Sequence, residues 1–341
     1  MRPRPRPPFW QGQRVPTAAQ LNKEISSAGS ALEVLKIAER CLLHFDDRHV
    51  ATCLHRLATH RHGLTPAIAS SATDQTLTIL ADRFKQGLSS RYLDAQALSN
   101  NAWAIATLAS SFPKLPASQK EALSHAAVNL SSEFSAQGIA NTSWALAPLT
   151  WTAHHARGMH YWMTMGIAAQ ARLHESCPQH LANSAWAFAP ARHLDHPLCS
   201  ALAAEAARKS KSFPPQEISN ILWAFAKLLV GRDTALPTAM SAALPSKCTS
   251  EAASFETQQI ASCAWSLAQL PQVAEGRAAL QALSGQARRK LMQFTPQGLS
   301  NLCTSVALLR PPIDLRRDGE VVRCWKARTG RQDVCMAARA K

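Results

Sequence analysis

The chain has 341 residues, 37 Lys and Arg against 22 Asp and Glu, and a formal net charge of +15. Its nine cysteines form no Cys-x-x-Cys pair, and no apolar run approaches the roughly 18–20 residues of a spanning helix. This argues against a disulfide frame, a structural zinc site and a membrane span. The charge sits mostly at the ends: residues 1–23 carry Arg2, Arg4, Arg6, Arg14 and Lys23 with no acid, and residues 310–341 carry nine basic against four acidic side chains.

Residues 1–20 open with an alternating Arg-Pro run that cannot be helical. The segment fits either an organellar transit sequence or a disordered basic arm. Leu21–Phe45 reads as one amphipathic helix, followed by HVATCLHRLATH with His55 where later segments place tryptophan.

Six segments then share one pattern: Asp94-AQALSNNAWAIATLA, Ser135-AQGIANTSWALAPLT, Cys177-PQHLANSAWAFAPAR, Pro214-PQEISNILWAFAKLL, Glu256-TQQIASCAWSLAQLP and Thr295-PQGLSNLCTSVALLR. Trp103, Trp144, Trp186, Trp223 and Trp265 follow one another at 41, 42, 37 and 42 residues, with Thr304 in the next place 39 further on. A period of this length marks stacked supersecondary units rather than one closed globule, which removes most enzyme readings. Ala and Leu dominate the segments, and prolines (Pro113, Pro116, Pro178, Pro214, Pro215, Pro296, Pro311 and Pro312) fall where helices start or stop. The expected fold is all-α: a right-handed α-solenoid of about seven helix-pair repeats spanning 21–310, between a basic arm at 1–20 and a basic tail at 311–341.

Within a repeat, Ser135 is placed to cap a helix running to Leu149 that is apolar over most of its circumference. Burial on both flanks is then expected, with Trp144 filling the gap between layers. The amphipathic stretches Gln119–Phe134, Leu198–Phe213 and Gly276–Phe294 supply the outer helices. Phe134, Phe213, Phe255 and Phe294, one residue before each cap, are placed as hydrophobic staples.

The string PQ-x-[LI]-[SA]-N-x-x-WA-x-A-x-L resembles the octotricopeptide repeat proteins of algal and protist organelles, and the related helical repeats of FAST-kinase-like mitochondrial RNA proteins. The resemblance covers about 21–310. It implies an α-solenoid that binds organellar transcripts and governs their stability, processing or translation, in a mitochondrion or plastid. Single-stranded RNA is the implied partner, with other organellar RNA-processing proteins as possible companions. Many members end in a nuclease-like RAP domain; residues 311–341 are too short for one, so a non-enzymatic role is expected, with no catalytic residue, cofactor or metal. The alternative is a protein-binding α-solenoid scaffold.

The repeated Asn100, Asn141, Asn183, Asn220 and Asn301, with Ser262 at the fifth place, can either present one amide per repeat to a base edge or lock repeat spacing by bonding neighbouring backbone. Its sameness between repeats favours the lock. The next position varies (Asn101, Thr142, Ser184, Ile221, Cys263, Leu302), as a code would, although three apolar members suit packing as well. Gln96, Gln137, Gln179, Gln216, Gln258 and Gln297 are placed to satisfy free amides at helix starts. Arg208, Lys209 and Lys211, and Arg288, Arg289 and Lys290, form basic clusters at equivalent ends of outer helices, as phosphate contacts or as solvated faces. Tryptophan as a base-stacking platform is disfavoured by the expectation that it is interior. His44, His49, His55, His60 and His62 around Cys53 lack the spacing of a zinc site, and neither GxxxxGK[ST] nor GxGxxG occurs.

Overall fold

A computed structural model describes residues 16–63, 71–88, 94–108, 117–147, 156–191, 196–229, 238–270 and 275–308. These form fifteen α-helices joined by turns, with no strand among the described residues. The Arg-Pro run and the 311–341 tail lie outside them. The chain divides into two units, Met1–Leu149 and Thr150–Lys341.

The first unit contains α1 (Ala18–Ser27), α2 (Ala31–Cys41), α3 (Asp47–Thr59), α4 (Ser71–Gly87), α5 (Ala95–Thr107), α6 (Ala117–Asn129) and α7 (Ala136–Leu146). Here α1 packs on α3, α3 on α5 and α5 on α7, while α2 packs on α4. The second unit contains α8 (Ala156–Ala171), α9 (Pro178–Ala191), α10 (His196–Arg208), α11 (Pro215–Leu229), α12 (Thr238–Ser250), α13 (Thr257–Gln269), α14 (Gly276–Arg289) and α15 (Pro296–Leu308). Its odd-numbered helices pack in succession from α9 to α15, and its even-numbered helices from α8 to α14. Within each unit the helices that carry the repeated motif thus pack on one another in succession.

Local chemistry explains the boundaries. Pro178, Pro215 and Pro296 occupy first helical positions, where the missing N–H costs nothing. Asp94, Ser135 and Thr295 accept from the backbone N–H of Ala97, Gly138 and Gly298 at 2.6, 3.1 and 3.1 Å. Helices α10, α12 and α14 end in a short 3₁₀ turn and α6 in a plain turn, and the Phe that follows each is buried: Phe134, Phe213, Phe255 and Phe294 are no more than 1% exposed.

The single helix expected over Leu21–Phe45 is two. The chain leaves helical geometry at Ala28, and Ser30 caps α2, accepting from Glu33 N at 3.3 Å while Glu33 accepts from Gly29 N at 2.7 Å. This reciprocal cap outweighs the continuous apolar periodicity. Helix α1 also starts inside the segment assigned to the basic arm, because Thr17 and Gln20 form a capping box.

Candidate nucleic-acid interface

The tryptophan-bearing helices bury nearly all of their circumference. Five residues before the aromatic position, Leu98, Ile139, Leu181, Ile218, Ile260 and Leu299 are at most 1% exposed. The residues on either side of that position are buried as well: Ala104, Ala187, Ala224 and Ser266 are at 0%. One stripe escapes. It holds the glutamine seven residues before the aromatic position, the asparagine three before, and the aromatic itself, which share a sector roughly 60° wide at 3.6 residues per turn.

All six ladder glutamines are exposed, and Asn100, Asn141, Asn183, Asn220 and Asn301 are half-buried. So are Trp103, Trp144, Trp186, Trp223 and Trp265. The expectation that the indoles seal the interior is therefore corrected. Ala and Ser at the flanking positions bring neighbouring helices too close to admit an indole, so the ring is displaced to the rim of the seam.

At that rim the rings meet between helices. His55 of α3 lies 5.2 Å from Trp103 of α5, and Trp186 of α9 stacks on Trp223 of α11 at 6.0 Å with an interplanar angle of 23°. Lys227, one turn beyond Trp223, sets its Nζ 5.6 Å from the Trp223 centroid and 4.8 Å from that of Trp265 on α13. Amides extend the same edge. Gln216 Nε2 donates to Asn220 Oδ1 at 3.1 Å, Gln297 Nε2 to Asn301 Oδ1 at 2.9 Å, and Gln259 Nε2 crosses from α13 to Gln216 Oε1 at 3.1 Å.

Two readings change accordingly. At Asn220 and Asn301 the amide bonds a glutamine of its own helix, not the backbone of a neighbouring repeat. The ladder glutamines at these sites serve that asparagine, and at the start of α15 the Gly298 amide is satisfied by the Thr295 hydroxyl instead. The variable position after Asn is no more than 5% exposed in all six repeats, so it faces the interior.

The basic clusters split into two kinds. Lys209 Nζ donates to the carbonyls of His174 and Ser176 at 3.0 and 2.6 Å, and Lys290 Nζ to the carbonyl of Phe255 at 2.8 Å. Ser176 and Phe255 follow the 3₁₀ turn of the preceding repeat: each closes that turn with its N–H and offers its carbonyl to the lysine. Lys247 repeats the contact to Lys211 O at 2.7 Å, and Arg83 to Phe45 O at 3.0 Å. These cations tie successive repeats together. Arg208, Lys211 and Arg289 are exposed and Arg288 half-buried, so they remain open to a polyanion, although Arg208 also pairs with Glu205 at 2.6 Å. Arg208 and Lys209 hold the Glu205 carboxyl at about 2.

The two units differ in charge along the edge. In the first, Gln96 and Asn100 line a cleft of about 630 Å³ shared with Asp46, Asp47 and Asp94 as well as Arg48, a predominantly acidic surround. In the second, the edge from α9 to α13 carries Lys227 between its tryptophans, with Glu217 and Glu256 at the starts of α11 and α13.

The histidine-rich opening is structural where it is described. His49, 1% exposed, accepts from Asp46 N at 3.1 Å through Nδ1, and its Nε2 contacts Ala18 O at 2.9 Å. Burial and the charge of Arg56 lower the pKa of His55. Among the described residues no group of three His, Cys, Asp or Glu is arranged to hold a metal ion, and no helix is long and apolar enough to cross a membrane.

The edge therefore gathers amides, indoles and an ammonium, groups suited to hydrogen bonding, stacking and charge neutralisation. Sequence reasoning set the tryptophans aside as interior and passed over Lys227, and it read Lys209 and Lys290 as phosphate contacts or solvated groups, with Lys247 and Arg83 not singled out. A helical wheel signals the first two, since Gln216, Asn220, Trp223 and Lys227 lie at i, i+4, i+7 and i+11. Neither a scan of protein-family models nor a search of curated proteins gives a match to this chain.

Proposed function

We propose that this chain is a right-handed α-solenoid of about seven helix pairs that binds single-stranded RNA without catalysing a reaction on it. The observation that supports this reading is the part-exposed stripe of glutamine, asparagine and tryptophan beside an otherwise buried helix surface, complete in four repeats and carrying Ser262 or Thr304 in the other two. A repeating edge of amides and aromatics suits a strand that repeats once per nucleotide, with amides for base edges and indoles for base faces. The net charge of +15 supplies the sequence-independent attraction. The resemblance to octotricopeptide repeats points to post-transcriptional work in a mitochondrion or plastid, on transcript stability, processing or translation. Filter binding of single-stranded RNA at 50 and 200 mM salt tests the proposal, taking affinity that falls by at least about tenfold as the expected result. Absent or salt-indifferent binding contradicts it.

A second reading, a protein-binding scaffold, is favoured by one feature. Met159, Met163 and Ile167, spaced four residues apart on α8, are 42%, 56% and 69% exposed. An apolar stripe of this kind suits a protein partner, including another component of an RNA-processing assembly. A pull-down that survives nuclease treatment and is lost on Met163→Glu supports it.

A further inference from the structure

We infer that Trp223, Lys227 and Trp265 form a base-stacking slot, in which one unpaired nucleobase of an RNA strand displaces the Lys227 ammonium and lies against the two indoles. The inference rests on the RNA-binding reading and adds a defined site to it.

Three observations meet here. The Lys227 Nζ lies over both rings, at 5.6 Å from one centroid and 4.8 Å from the other, so two π faces border the same small volume. That volume is reachable, because both indoles are half-buried and Lys227 is exposed. It also spans two repeats, since Trp223 and Lys227 come from α11 and Trp265 from α13. A volume bordered by π faces accepts a cation or a planar aromatic, and in the free protein the chain's own cation fills it.

A nucleic acid can replace that cation at little cost. Cation–π attraction is modest at an exposed site, and a strand that brings a base brings a phosphate with it. The flexible lysine stem lets the displaced ammonium move to that phosphate while the base gains the stacking surface. Trp186, already stacked on Trp223, extends the π surface to α9. Asn220 lies one turn before Lys227's neighbour Trp223 on the same stripe, and its Oδ1 is held by Gln216 while its NH₂ has no partner among the described residues. That donor pair is available to the edge of the stacked base. An acidic peptide would meet Lys227 equally well, but a nucleic acid pairs a planar aromatic ring with an anion in every residue, which is why RNA is the occupant favoured here.

The test uses the full chain with 15-nucleotide oligoribonucleotides of A, U or C and an abasic strand of the same length. Base-bearing strands should quench tryptophan fluorescence and the abasic strand should not. Trp265→Ala should weaken binding of base-bearing strands by about tenfold, leave the abasic strand unaffected, and be largely rescued by Trp265→Phe. Lys227→Met should lower the slope of log affinity against log salt by about one. Equal loss on both kinds of strand, or no loss on either, overturns the slot and leaves the RNA reading standing. Failure of the wild-type chain to bind any strand at low salt overturns both. The quenching contrast needs no variant, so the result survives any folding defect in Trp265→Ala.

Discussion

Lys290 donates to the carbonyl of Phe255, 35 residues earlier, at 2.8 Å. The bond satisfies an orphan carbonyl at the end of one repeat with a cation at the end of the next, and a charged donor makes it stronger than an ordinary turn contact. Lys290→Ala should therefore destabilise the fold by roughly 1–2 kcal/mol. Arg289→Ala, at an exposed side chain that bonds Gln286 of its own helix, should change it by less than about 0.5 kcal/mol. Urea unfolding followed by circular dichroism separates the two. Equal midpoints would contradict the inter-repeat role of Lys290.

Glycine has opposite meanings at two positions. A Cβ on Gly138 would come within 2.8 Å of the Phe134 ring, which is 1% exposed and has nowhere to retreat, whereas one on Gly285 meets nothing within 4 Å. Gly138→Ala should cost about 1–3 kcal/mol through overpacking. Gly285→Ala, inside α14, should stabilise by about 0.5–1 kcal/mol by reducing backbone freedom in the unfolded chain. Thermal melts of the two variants should move in opposite directions.

Thr142 of α7 is fully buried, and its hydroxyl finds no hydrogen-bond partner among the described residues. The equivalent places later in the chain hold Ile221, Cys263 and Leu302. Thr142→Val keeps the shape and removes the unpaired oxygen, so it should stabilise by about 1 kcal/mol. A lower denaturant midpoint would show that the hydroxyl is bonded in solution.

Glu205 gives the fold a defined response to acid. Hydrogen bonds from Arg208 and Lys209 lower its carboxyl from the ordinary 4.5 to about 2. A carboxyl depressed by folding stabilises the native state above its unfolded value, and that contribution fades as pH falls from 4.5 towards 2. Wild type should thus exceed Glu205→Gln in stability at pH 6, and the difference should shrink by pH 2.5. A difference that stays constant with pH would exclude the ion pair as its source.

The helical period and the caps were legible because they depend on neighbours within a turn or two. Asparagine at position 141 and tryptophan at position 144 share a rim that a hydrophobicity scale conceals, since it assigns an indole to the core whatever its neighbours. The closeness set by Ala104, Ala187 and Ala224 decides the matter, and it is a property of two helices. The same holds for Lys209, Lys247 and Lys290: a cation at the end of a helix looks solvated until the preceding repeat supplies a carbonyl. The division of Leu21–Phe45 was missed for the opposite reason, because a local cap at Ser30 interrupts a pattern that continues on both sides.

Ultraviolet crosslinking of the full chain to single-stranded RNA, followed by mass spectrometry of the linked peptides, tests the central claim most directly. Adducts concentrated on the peptides carrying Asn183–Trp186, Asn220–Lys227 and Ser262–Trp265 are the expected result. Adducts confined to the even-numbered helices, or none at all, would contradict it.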